Sequence, residues 1–254
     1  MKRKQIEFFL LIGWTIPGLY ISLKYGSDYL TTALILLGVP AAYLTYRQPK
    51  CFKKLAVFST IISIPGAAIV SYLAHKDLTW FNPSFFPRIY GVYPVEDFVW
   101  GFIYVYAITV AYEYFYENEK SLKFPLRFKG DAFRVVLLAS LFSIAAYIYP
   151  HALYIPYFYP LFVLIFFIAI PWTLLYKHQK LILKVVKLEV FFLIPSLAVE
   201  YVANINHNWW FPGKHFIGYV TALGVTIPLE EFLWIILAVP AFIVYYELLA
   251  DDGK

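Results

Sequence analysis

Eight apolar runs, each about 20 residues long and so able to cross a bilayer as a helix, occupy most of this chain. They fall at roughly 6–25, 29–46, 55–74, 94–116, 132–149, 155–176, 188–204 and 228–249. In hydrocarbon a helix satisfies its own backbone hydrogen bonds and an open segment does not. The runs therefore predict an all-α polytopic membrane protein with eight transmembrane helices. Composition agrees, with 61% of the 254 residues hydrophobic, 21% aromatic and only 15% charged. The fifth and sixth runs are parted only by Pro150 to Tyr154. The first run follows Lys2, Arg3 and Lys4, as a signal peptide would. It is too long for one and no small-residue cleavage site follows, so it reads as the first spanning helix.

The basic residues fix an orientation. With the N-terminus inside, only Lys24, Lys76, Arg88 and Lys214 of the 21 Lys and Arg residues lie outside. That bias predicts a multi-pass cell-membrane protein with both termini cytoplasmic. The net charge of +5 belongs to loops between spans and gives no reason to expect nucleic acid as a partner. Cys51 is the one cysteine, which excludes an intrachain disulfide and a thiolate cluster. No spacing of His, Asp or Glu makes a metal site, and no glycine-rich nucleotide fingerprint occurs. No metal and no cofactor are expected.

The chain repeats itself. Pro94-Val95-Glu96-Asp97-Phe98-Val99-Trp100 returns as Pro228-Leu229-Glu230-Glu231-Phe232-Leu233-Trp234. Tyr46-Arg47 matches Tyr176-Lys177, Pro65 matches Pro195, Trp80-Phe81 matches Trp210-Phe211, and Tyr112-Glu113 matches Tyr246-Glu247. The offset is 130 early and 134 late, which implies a small insertion between Phe211 and Pro228. The prediction is two four-helix repeats, 1–120 and 121–254. Four helices each make the repeats parallel, related by an axis near the membrane normal. Both motifs then open the last helix of their repeat, on the same side of the membrane.

Proline suits the first helical turn, and an acid there suits the positive end of the helix dipole. Capping explains an acid; it does not explain Trp100 and Trp234, four residues on and on the same helix face. Ionisable residues near a membrane core are functional candidates, so Glu96 and Glu230 are the leading ones, with Asp97 and Glu231 as partners. Glu200 lies at similar depth in the seventh helix, opposite Val70 of the first repeat. Asn204 follows it and offers a hydrogen bond to the acids, as do His75 and Asn82 in the matching stretch of the first repeat. Trp80, Phe81, Trp209 and Trp210 precede the motifs and read as an aromatic wall, whose π-faces stabilise a cation. Glu113 and Glu247 lie about 25 Å further along their helices and read as interfacial anchors.

Tandem four-helix units, each with P-x-E-[DE] opening its last helix, resemble the non-flavin lycopene cyclases in their fused, single-chain form. The resemblance covers nearly the whole chain and rests on Pro94, Glu96, Asp97 and on Pro228, Glu230, Glu231. It implies a lycopene β-cyclase, an isomerase acting on lycopene or a related C40 carotenoid within the bilayer. A proton adds at C2 of the linear end, C1 becomes cationic, C5=C6 attacks it, and the ring cation loses a proton from C6. Such chemistry needs an acid, a base, an apolar pocket and aromatic faces. On this reading Glu96 and Glu230 supply acid and base in one site between the repeats, and Asp97, Glu231 and Glu200 tune or relay protons. Trp100, Trp234, Phe98, Phe232, Trp80, Trp210 and Asn204 would bound the substrate. Two other readings stay open: a carotenoid hydratase, in which water captures the same cation, and a proton-coupled carrier.

Overall fold

The computed structural model describes residues 3–117, 123–149 and 153–250. The expected repeat boundary at 120/121 and Pro150 lie outside the described residues. Eight long helices form the bundle: α1 (Arg3–Lys24), α2 (Tyr29–Arg47), α3 (Pro49–Lys76), α4 (Glu96–Glu117), α5 (Phe128–Ile148), α6 (Phe158–Lys177), α7 (Ile182–Ile205) and α8 (Leu229–Leu249). The chain is an all-α polytopic membrane protein. Among the described residues seven of the helices are long and apolar enough to cross a membrane. The eighth, α7, falls outside that group although the sequence predicts eight spans. At 24 residues it is about 36 Å long, ample for a span, but it carries Lys184, Lys187, Glu189 and Glu200.

Helices α4 and α8 run side by side at the centre. Against them pack α2 and α3 on one side and α6 and α7 on the other. The first helix of each half crosses over: α1 packs on α7, and α5 packs on α3. Apolar helices gain no hydrophobic energy from one another in lipid, so close fit and interhelical hydrogen bonds hold them, the latter at about 0.6 kcal/mol each. Gln48 donates to the Val110 carbonyl at 2.9 Å, Thr45 and Tyr106 share a 2.7 Å bond, and Tyr104 and Ser196 share one of 3.0 Å.

Contacts between the halves come in reciprocal pairs, as a twofold axis requires. Phe81 N–H donates to the Trp210 carbonyl at 2.9 Å, and Trp210 N–H returns the bond to Phe81 at 3.0 Å. Trp80 packs edge-on against Tyr159, and Tyr29 packs at a tilt against Trp209. At the other end of the bundle Tyr112 bonds Glu247 while Tyr246 bonds Glu113. The ammonium of Lys54 lies over the Tyr246 ring, and that of Lys184 over the Tyr112 ring. Glu113 and Glu247 are thus buried between the halves, where their spacing predicts surface anchors. Their tyrosine partners come from the opposite half, which no local spacing reveals.

Proline shapes the helices. Pro40 and Pro171 each follow a π-helical stretch, Leu34–Gly38 and Val163–Ala169. A proline lacks the N–H and its ring crowds the carbonyl four residues back, so the ladder widens there. Pro65 precedes a third π stretch, Gly66–Ser71, whereas α7 runs on past the matching Pro195 as α-helix. A π turn holds one extra residue, so the offset falls from 130 at Pro65 to 129 beyond it. Helix ends agree: Leu78 (φ 54°) after α3 answers His207 (φ 54°) after α7. Glu200 therefore matches Ser71 rather than Val70, and Trp80 matches Trp209 rather than Trp210.

Neither motif proline occupies the first helical turn. Pro228 ends a strand with ψ 147° immediately before α8, and Pro94 lies two residues before α4. The insertion expected after Phe211 is a hairpin of β1 (Tyr219–Ala222) and β2 (Val225–Pro228), turning at Leu223-Gly224 with positive φ at both. The first half makes a shorter version at Tyr90-Gly91, closed by the single Ile89–Tyr93 bridge.

Candidate functional site

One residue, about 100° of helix, separates the two acids of each motif. Cα–Cβ bonds in a helix tilt toward its N-terminus, so a first-turn carboxyl reaches back to the preceding loop. Glu96, 1% exposed, accepts from Phe85 N–H at 2.6 Å, Phe86 N–H at 3.1 Å and the Ser84 hydroxyl at 3.2 Å. Glu230, also 1% exposed, accepts from Ile217 N–H at 2.5 Å. Both carboxyls are tied to loops, and neither lines the cavity described next. The expected pairing of Glu96 with Glu230 in one site between the repeats is not what the fold places there. One position further along each helix, Asp97 and Glu231 do line it.

The cavity has a volume of about 550 Å³ and lies between α3 and α4 of the first half and α5, α6 and α8 of the second. Its α8 wall runs from Glu231 to Leu249, about 27 Å at 1.5 Å per residue. The size is ordinary for a small-molecule site; the length and the almost wholly apolar lining are not. Trp100 and Trp234 meet there across the halves, ring centroids 5.3 Å apart, and Tyr104 stacks on Trp100 at 5.3 Å. Trp80 and Trp209 complete the aromatic end.

At that end the two acids have different company. Asp97 Oδ1 accepts from Asn82 Nδ2 at 2.9 Å, and its Oδ2 lies 3.7 Å from His75 Nε2. His75 Nδ1 lies 3.1 Å from the Trp80 carbonyl and must donate to it. At 3.7 Å the imidazole and the carboxyl lie side by side without a hydrogen bond, and both facing atoms are buried. Glu231 accepts instead from the Tyr159 hydroxyl. Behind it Glu200 accepts from Asn204 Nδ2 at 2.7 Å and from Trp209 Nε1 at 3.0 Å.

The remaining candidates divide. Asn204 serves Glu200 and does not line the cavity. Phe98 packs instead against the cluster of Tyr72 and Tyr93, and Phe232 is half-buried away from the cavity. Trp210 is 44% exposed and pairs with Phe81, while its neighbour Trp209 takes the lining place. The motifs do not point to Tyr29 and Tyr159, which begin helices far away in sequence. Their spacing of 130, the repeat offset, is the signal that marks them. Among the described residues no group of three His, Cys, Asp or Glu side chains is placed to hold a metal ion. Set against protein-family models, characterised proteins and solved structures, the chain matches none.

Proposed function

We propose that the protein is a membrane-embedded carotenoid cyclase that closes the linear ends of lycopene, or a related C40 carotenoid, to β-rings. The observation that carries the reading is a long apolar cavity with two carboxyl groups and paired tryptophans gathered at one end. An acid delivers a proton to C2 of the substrate's terminal double bond. The cation at C1 is attacked by C5=C6, and a base removes the proton from C6. Atoms balance: one proton enters, one leaves, and no oxidant or reductant is needed. Asp97 and Glu231 are the acid–base pair, because they line the cavity. Trp100 and Trp234 face the cation with their π surfaces. His75 stands beside Asp97, the Tyr159 hydroxyl donates to Glu231, and Glu200 stands behind Glu231 as a relay. Glu96 and Glu230 hold the loops. Both termini face the cytoplasm of a cell membrane on the basic-residue bias.

The test is pigment analysis in a lycopene-accumulating bacterium. The parent chain should yield β-ring carotenoid of unchanged mass. Asp97→Asn and Glu231→Gln should each lower conversion by about 100-fold or more, the usual scale for general acid–base catalysis. Full conversion by both variants would sink the assignment, and a product heavier by one water would turn it to a hydratase.

A further inference from the structure

The same cavity is not sealed from the side. Leu138 of α5 and Phe166 of α6 both line it, yet they are 62% and 45% exposed. A side chain that is both lining and exposed marks an opening. Leu138 is ten residues from either end of α5, and Phe166 sits near the middle of α6, so the opening lies about 15 Å from each end of the bundle. That is the depth of the hydrocarbon centre.

The gap has a frame. At the motif end Ala146 of α5 packs in one cluster with Phe158 and Phe162 of α6. At the other end Arg127, just before α5, donates to the Leu248 carbonyl of α8 at 2.7 Å and so ties α5 to the back wall of the cavity. Between these, no hydrogen bond and no ring contact joins α5 to α6 among the described residues. The corresponding pair in the first half is closed: Trp14 Nε1 donates to the Ile35 carbonyl at 2.7 Å, and α1 runs so close to α2 that a Cβ on Gly18 would lie 2.8 Å from Leu36. Among the described residues no such bond closes α5 on α6. Tyr245, another lining residue, fixes one jamb by donating to the Phe166 carbonyl at 2.6 Å, a carbonyl within the π stretch of α6.

We infer that the cavity takes its substrate directly from the bilayer core, through a window between α5 and α6 framed by Leu138 and Phe166. The ligand class is a linear, uncharged hydrocarbon chain, end first. A charged or bulky headgroup has no place at that depth, because ions at the bilayer centre are strongly disfavoured. The substrate class rests on the cyclase reading; the window does not.

The experiment uses vesicles holding the full chain and a linear hydrocarbon bearing one diazirine. After photolysis, peptide mass spectrometry maps the adducts. Adducts are expected on Trp100 and Phe167 inside the cavity. Leu138→Trp, which fills the window from an exposed position, should lower those adducts about tenfold, within the range over which association rates vary among variants. Leu141→Trp, on the lipid face of the same helix, should leave them unchanged. Adducts at outward-facing Ile144 should persist in both. Absence of cavity adducts in the parent, or equal labelling in Leu138→Trp, would overturn the window. Cavity labelling without lycopene conversion would leave the window standing and remove the cyclase reading.

Discussion

Glu96 and Asp97 are adjacent in sequence and have different tasks. Glu96 closes a loop over the start of α4, and Asp97 faces the cavity. Periodicity marks both as first-turn acids of a membrane helix and stops there. What separates them is where the loop N–H groups of Phe85 and Phe86 come to rest, which no spacing within the motif encodes. The same holds for Glu230 and the N–H of Ile217. A consequence follows for stability. Glu96→Ala takes the acceptor from the Phe85 and Phe86 N–H groups, each hydrogen bond contributing about 0.5–1.5 kcal/mol net. Thermal unfolding in detergent should therefore show a clearly lowered midpoint for Glu96→Ala, with Asp97→Asn close to the parent. Equal midpoints for the two would mean that Glu96 is not a loop anchor.

At the scale of elements, the hydropathy of the chain foretells the helices and their order, and the repeat foretells that both motifs open equivalent helices. The π stretch at Gly66–Ser71 leaves no such trace, because one extra apolar residue within an apolar helix alters neither hydropathy nor charge. It shifts the equivalences by one and so exchanges Trp209 for Trp210 and Ser71 for Val70. The hairpin before α8 is legible only as an insertion, although Val220, Thr221, Val225, Thr226 and Ile227 around Gly224 carry the β-branched pattern of strands. The π stretch also sets the cavity wall, since Gly66, Ala67, Ile69, Val70 and Ser71 all line it. Deleting Ala67 should restore a plain α-turn. The two ends of α3 would then turn by about 100° relative to each other, and the Ser63 side would leave its place against α4. The expected outcome is unchanged helix content by circular dichroism with cavity labelling and lycopene conversion lost together. Retained conversion would show that the bulge is ornamental.

Taken whole, the molecule is a twofold frame with an asymmetric interior. Reciprocal pairs bind the halves at both ends: Phe81 with Trp210 near the motifs, and Tyr112 and Tyr246 with Glu247 and Glu113 at the far side. Between them one flank is packed shut and the other holds the cavity. The packed flank has Ile235 where the cavity flank has Gly101, the position matched by the motif offset of 134. The sequence shows the repeat but not this asymmetry, because the closing contacts, such as Trp14 on Ile35, lie outside the repeated residues. Because Asp97 and Glu231 share one end of the cavity, a substrate with two linear ends would have to leave and return reversed before its second end reacts.

On the cyclase reading Asp97 and Glu231 move protons to and from a hydrocarbon end without redox change. The most direct measurement is conversion of lycopene by the membrane protein in D₂O, followed by mass analysis of the product. Cyclisation predicts one deuterium gained and one hydrogen lost for each ring, with the label at C2. A product of unshifted mass, or one that has gained heavy water, would contradict the account.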